Sequence, residues 1–337
     1  MNFKSIDIII RLPKYNIGLV KEAQVLAKVI NNHTFHKHIR ATISIRKFYF
    51  FKRNSIFYFY NLGLFTFLEI FFNKLLGNVN VLCLHEPFME EKINYGIRNR
   101  IKILIFEFLL TLCVIQVKDV ILFSKNGLKQ FKKKYINYSS GIYIQKLLPS
   151  LKFKKSSQIK EKQIIFVGKI HKAKRFDLIV ETIDKLNSID PTISFLFISR
   201  SINQKYRETL LKLKNINLIN KKFIPDEIIW KGFAESMVLI KLDTNMTQSG
   251  LVAQARISLC KTLTTSIFGF KQDIYNKGFD GDIVPLSATS DEICEKILKQ
   301  INSFEMHRDI LEKVGEKWIT DGKESIIKTA KSVSNKI

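Results

Sequence analysis

The sequence predicts an α/β protein of two domains, and three observations lead there. Short apolar runs of strand length alternate with longer segments of helical period through most of the chain, the pattern of βαβ units on parallel sheets. A chain of 337 residues, 46% hydrophobic, is long for one small core and suits two of ordinary size. Between the halves, Pro149 to Lys162 is rich in Lys and Ser and poor in apolar residues, as linkers are. Domains are therefore expected at 1–150 and 163–305, with a linker at 151–162 and a helical tail at 306–337.

The elements follow in order. Ile6 to Ile10 is an apolar run too short for a signal peptide, broken by Asp7 and followed by no small-residue cleavage site, so it reads as a first buried strand. A helix fits Gly18 to Ile30, and strands fit Ile56 to Tyr60, Val79 to Leu84 and Val120 to Phe123. In the second half strands fit Gln163 to Val167, Ser194 to Ile198, Ile216 to Leu218, Met237 to Ile240 and Leu263 to Thr265. Helices fit Arg175 to Ser188, Lys205 to Leu213, Leu251 to Leu259 and Asp291 to Ile301. Phe48 to Phe72 and Ile101 to Val117 approach membrane character. Each carries internal charges (Lys52, Arg53 and Glu69; Lys102 and Glu107), and a spanning helix needs about 20 mostly apolar residues. They read either as buried helices or as interfacial segments with basic flanks.

The 55 Lys+Arg against 30 Asp+Glu leave a formal charge of +25, which calls for an anionic partner: nucleic acid, an acidic membrane surface or a phosphorylated small molecule. A bias toward Lys, Ile, Asn and Phe, as an AT-rich genome imposes, accounts for part of it. The basic residues are dispersed and no nucleic-acid reader motif occurs. Cys83, Cys113, Cys260 and Cys294 are far apart, with no Cys-x-x-Cys pair, and read as reduced residues of a cytosolic protein.

Two segments carry chemistry. Thr247-Gln248-Ser249-Gly250 lies between an apolar run and an amphipathic segment, so that free N–H groups and a helix dipole point at one spot, which suits a phosphate. The other reading is an ordinary helix start capped by Ser249 or Thr247. After the strand ending at Val167 comes Gly168-Lys169-Ile170-His171-Lys172-Ala173-Lys174-Arg175, where glycine permits close approach and the lysines suit a diphosphate; such basic loops are also common as solvated turns. No phosphate-loop or Gly-x-Gly-x-x-Gly sequence is present.

These pieces stand in an order that resembles glycosyltransferase family 4, enzymes of the GT-B fold with two Rossmann-like domains facing each other across a cleft and a C-terminal helix crossing back. Gly168, Lys169 and Lys174 fall where the family opens its second domain, with Arg175 in place of a usual glycine. Phe223 to Ile228 is similar to the segment before the donor-loop strand, and Met246-Thr247-Gln248-Ser249-Gly250 matches a subgroup's Ala-Thr-Gln-Ser-Gly. Cys260-Lys261-Thr262-Leu263 aligns with Gly-Lys-Pro-Val, Phe268-Gly269-Phe270 with a Gly-Gly turn, and Asn276 to Pro285 with the closing turn and strand. The first domain matches more loosely, through Tyr15-Asn16-Ile17-Gly18, Leu84-His85-Glu86-Pro87 and Leu122 to Leu128. The family's two glutamates are absent, their places falling at Thr247 and Ala255.

The resemblance implies a retaining transfer from a nucleotide-diphosphate sugar to a lipid-linked or oligosaccharide acceptor in bacterial surface polysaccharide assembly. Gly168, Lys169, Lys174, Thr247, Gln248, Ser249, Gly250 and Leu251 would hold the donor; Gly18 and His85 would line the acceptor side; His85, Lys169 and Lys174 would serve catalysis. It implies no cofactor and no metal, so the Asp-x-Asp spacing of Asp280-Gly281-Asp282 is expected to hold none. A lone His is otherwise often a structural hydrogen-bonder. The implied setting is the cytoplasm, with the basic first domain on anionic lipid at the inner face of the plasma membrane and no nucleic acid as partner. Two other readings stay open: a GT-B subunit that has lost catalysis, given the eroded glycines, and a basic nucleic-acid-binding protein, given the charge.

Overall fold

The computed structural model describes residues 6–12, 17–32, 39–45, 52–60, 64–85, 97–148, 160–170, 174–244, 249–266 and 279–336. They fall into two compact units, one of Met1–Ser150 with Thr320–Ile337 and one of Leu151–Ile319.

The first unit runs β1 (Ile6–Leu12), α1 (Ile17–Asn31), β2 (Ile39–Ile45), β3 (Ser55–Phe59), α2 (Leu64–Leu75), β4 (Val79–Leu84), α3 (Ile97–Val114), β5 (Asp119–Leu122), α4 (Lys125–Lys134) and β6 (Gly141–Ile144). Its sheet has the order β2-β1-β3-β4-β5-β6, and every pairing is parallel. β3, β4 and β5 are buried at every position, which is why they read as unbroken apolar runs. α3 buries Leu110, Cys113 and Val114 and leaves Ile101, Leu104 and Ile105 exposed, so the buried-helix reading of Ile101 to Val117 holds for one face only.

The second unit runs β7 (Glu161–Val167), α5 (Phe176–Ile189), β8 (Ser194–Ser199), α6 (Gln204–Lys212), β9 (Ile216–Asn220), α7 (Asp226–Glu235), β10 (Ser236–Lys241), α8 (Gly250–Ile257), β11 (Lys261–Thr265), β12 (Gly281–Val284) and α9 (Ser290–Asn302). The order β12-β11-β10-β7-β8-β9 is again wholly parallel. From β7 the chain builds outward to β8 and β9, then returns to place β10 on the other side of β7. The carboxyl ends of β7 and β10 thus form a topological switch point, where open α/β sheets bind ligands. α9 starts at a capping box: the Glu292 amide donates to the Thr289 hydroxyl at 3.3 Å, and the Thr289 amide donates to the Glu292 carboxylate at 2.9 Å. β12 needs Gly281, since a Cβ there would lie 2.5 Å from the Thr262 carbonyl oxygen on β11.

The expected linker is shorter at its far end than its composition implies. Lys160 is buried, donating to the Phe233 and Ser236 carbonyls at 2.8 Å each, and Glu161 already opens β7. The expected tail is one helix, α10 (Arg308–Ser334), shared by the two units. Leu311 lies in the core that holds Ile293 and Ile297. Farther on, the Ser325 hydroxyl accepts from the Lys146 amide at 3.1 Å, and Lys336 reaches the buried Asp119 at 2.5 Å. Among the described residues no helix is long and apolar enough to cross a membrane.

Candidate functional site

In the second unit the site builds from the end of β7. Gly168 has φ +133°, a conformation side-chain-bearing residues rarely adopt, and the space where a Cβ would sit is open. Its amide donates to the Ile198 carbonyl at 3.0 Å, which pins the strand exit. Lys169 follows, exposed. His171, Lys172 and Ala173 lie outside the described residues. At Arg175, the residue before α5, φ is +52°; the left-handed backbone explains why glycine suits this place. Arg175 is held there by donating from Nη2 to the Ala288 carbonyl at 2.9 Å, and burial lowers its pKa.

Lys174 does not stand alone. Its ammonium pairs with Asp243, two residues beyond β10, and the other oxygen of that carboxylate lies 2.5 Å from Lys241 Nζ. Asp243 is 3% exposed and Lys241 5%. Burial, and after it the neighbouring Lys174 charge, pushes the Lys241 pKa well below the ordinary lysine range. The Asp243 carbonyl in turn accepts from the Thr265 hydroxyl at 2.5 Å, tying the cluster to β11. One buried carboxylate between two lysines therefore bridges the loops leaving β7 and β10.

The donor-loop residues divide. Thr247 and Gln248 lie outside the described residues. Ser249 is the residue before α8, extended and buried, and its hydroxyl makes no capping hydrogen bond. Gly250 and Leu251 form the first turn of α8, whose leading amides have no partner within the helix. The capping role read for Ser249 is thus not the one its hydroxyl performs.

Asp280 and Asp282 are each engaged by a cation. Arg256 Nη2 lies 3.1 Å from Asp280 with its guanidinium 4.6 Å over the Trp318 ring, and Lys296 lies 2.8 Å from Asp282. The pair braces β12.

In the first unit, Gly18 stands in the first turn of α1, and one turn later Glu22 Oε2 lies 3.0 Å from His85 Nε2. His85 leaves the carboxyl end of β4, stacks on Phe123 at 4.2 Å and tilts against Tyr60 at 5.9 Å. Its side chain keeps 24% exposure. Cys83 beneath is buried, and burial, then the Glu22 charge, raises its pKa well above the usual thiol range. At the end of β1, Arg11 pairs with Glu69, Nη2 donating to Oε2 at 2.9 Å and Nε lying 2.8 Å from Oε1, and donates to Ser44 at 2.8 Å.

The sequence reading named Gly168, Lys169, Lys174 and His85; the structure sets Glu22 beside His85 and Asp243 with Lys241 beside Lys174, and that reading named none of these three. A charged residue beside the buried Ala23 and Leu26 was the available signal for Glu22. For Asp243 and Lys241 it was the polar exit of an otherwise apolar strand.

No family profile matches the chain, and no curated protein sequence matches it. Solved structures do. The pneumococcal O-GlcNAc transferase GtfA in complex with UDP and GlcNAc aligns with a TM-score of 0.67 at 15% identity, covering 85% of this chain and 57% of that one. An S. aureus TarM mutant in complex with fondaparinux, alpha-GlcNAc-glycerol and UDP aligns at 0.65 and 15% identity, covering 84% and 55%. Anabaena Alr3699/HepE in complex with UDP-glucose aligns at 0.69 and 8% identity, covering 98% and 99%. The chain thus spans just over half the length of the first two and nearly all of the third. Its two parallel-sheet units have the GT-B fold that these glycosyltransferase structures share.

Proposed function

We propose that the protein is a glycosyltransferase taking a UDP-linked sugar as donor. The observation that carries the reading is the β7–β10 switch point, where Gly168 leaves the backbone open, Lys169 is exposed and Lys174 is held nearby. The UDP in the GtfA, TarM and HepE structures supports the choice of nucleotide. In this reading Lys169, Lys174 and the leading amides of α8 from Gly250 stabilise the departing diphosphate electrostatically. Thr247 and Gln248 complete that loop. His85, oriented by Glu22, and Gly18 serve a saccharide or lipid-linked acceptor, with retention of configuration, in surface polysaccharide assembly of the family 4 type.

Titration with UDP tests the donor site. Lys169→Ala and Lys174→Ala are each expected to weaken binding about tenfold or more, the worth of a hydrogen bond to a charged group. Unchanged affinity in both variants overturns the assignment.

One observation favours a second reading. Asp243 neutralises Lys174, and a carboxylate in that place suits a GT-B subunit that binds a nucleotide sugar without transferring it. Binding of UDP with no turnover of any UDP-sugar offered would select it.

A further inference from the structure

We infer that the outward face of α2 and α3 is a membrane-docking surface for anionic lipid. α2 buries several polar residues alongside its core residue Ile70 and turns much of its apolar surface outward. Its polar residues Thr66, Glu69 and Asn73 are buried, while Leu68, Phe71 and Leu75, three or four residues apart on one stripe, are 40%, 44% and 69% exposed. Glu69 faces inward because it holds Arg11 at the end of β1. α3, which packs against α2, repeats the pattern: Leu104, Ile105 and Phe108 are 59%, 55% and 63% exposed. Apolar residues left exposed on two helices in contact mark an interaction site.

Charge selects the occupant. Across residues 64–85 and 97–148 the carboxylates are Glu69, Glu107 and Asp119, and all three are buried or partly buried. Lys74, Lys118, Lys129, Lys132 and Lys133 are exposed there. Lys134 pairs with Glu107 at 3.6 Å, which sets the lysine-rich end of α4 beside α3. Apolar stripes on two helices, with exposed lysines and no exposed acid among these residues, match the boundary between acyl chains and anionic headgroups. Two copies meeting through this face would bring their lysines together, so a second copy fits it poorly.

The inference does not rest on the donor reading. The test is co-sedimentation of the whole chain with phosphatidylcholine vesicles with and without phosphatidylglycerol. The protein is expected to pellet with the anionic vesicles, and less so as salt rises. Phe71→Ser with Phe108→Ser should lower partitioning about tenfold or more, and Lys132→Gln with Lys133→Gln roughly fivefold per charge. The positions are exposed, so melting profiles should stay near that of the unaltered protein; if the first pair misfolds, Leu68→Ser with Leu104→Ser is read instead. Failure to pellet, equal binding to neutral vesicles, or undiminished binding of the apolar variants overturns the inference. So does a dimer in sedimentation velocity that those variants dissolve while vesicles are ignored. UDP affinity, measured alongside, tells failure of the donor reading apart from failure of this one.

Discussion

Replacing Asp243 by Asn removes one negative charge from between two lysines and keeps the shape and the backbone carbonyl that accepts from Thr265. Breaking a buried ion pair costs about 3–5 kcal/mol. The Lys174 side chain is 17% exposed and can turn to water, which places the loss near the lower end, about 3 kcal/mol. Lys241 is already depressed by burial and by Lys174, so without its carboxylate it sheds its proton, leaving Lys174 as the remaining cation. A diphosphate then meets an ammonium with no competing carboxylate. One charge-assisted contact is worth at least about 1.4 kcal/mol, so UDP should bind about tenfold more tightly. Calorimetric titration reads the affinity and chemical denaturation the stability. The two should move in opposite directions. If UDP affinity instead falls to the level of Lys174→Ala, the carboxylate positions the lysine for the ligand, and the competition argued here is wrong.

Three further outcomes are expected. Gly281→Ala should destabilise by about 3 kcal/mol, because the new methyl meets the Thr262 backbone carbonyl at 2.5 Å as well as the Thr262 hydroxyl at 2.6 Å; a denaturation midpoint equal to the unaltered protein's would show that β12 shifts freely. Lys261 is fully buried, donates to the Gln300 carbonyl at 3.1 Å, to Ser303 at 2.9 Å and toward His307 Nδ1 at 3.1 Å, and burial lowers its pKa to about 8. Between about pH 8 and 10 the unfolded chain holds this proton and the folded one does not, so this group's contribution to stability rises with pH, by at most about 3 kcal/mol. The four buried cysteines, whose pKa values are raised, act in the opposite sense, so the check is the difference in slope between the unaltered protein and Lys261→Met; equal slopes refute it. His85→Ala should leave UDP affinity within about twofold and lower sugar transfer on the order of a hundredfold, with Glu22→Gln intermediate; a loss of UDP affinity would move His85 out of the acceptor role.

Most strands were legible because central parallel strands are buried on both faces and leave a continuous apolar trace, as Val79–Leu84 does. The strands that escaped, Ile39–Ile45 and Gly141–Ile144, are the two edges of their sheet, where one side lacks a neighbour and the apolar signal thins. Lys174 was legible as a basic residue after a glycine. Its carboxylate was not, because the contact joins two strands that become neighbours only when the chain returns across β7. Arg175 looked like erosion of a glycine site; the left-handed backbone is retained, and a hydrogen bond to Ala288 holds it. α2 was the least legible helix, since of its apolar residues Ile70 enters the core and Phe67 packs against it while Leu68, Phe71 and Leu75 face outward.

The shared last helix has a consequence for how the chain is made. Unit two is one uninterrupted stretch, Leu151–Ile319, and has every residue it needs once that stretch leaves the ribosome. Unit one has its sheet early, but Asp119, Lys146 and Leu148 await partners among residues 320–336, which are made only after the whole of unit two. The usual order of synthesis, first domain finished first, is inverted. Until that segment is made, the buried Asp119 lacks its lysine, and of these two units the one begun first is completed second.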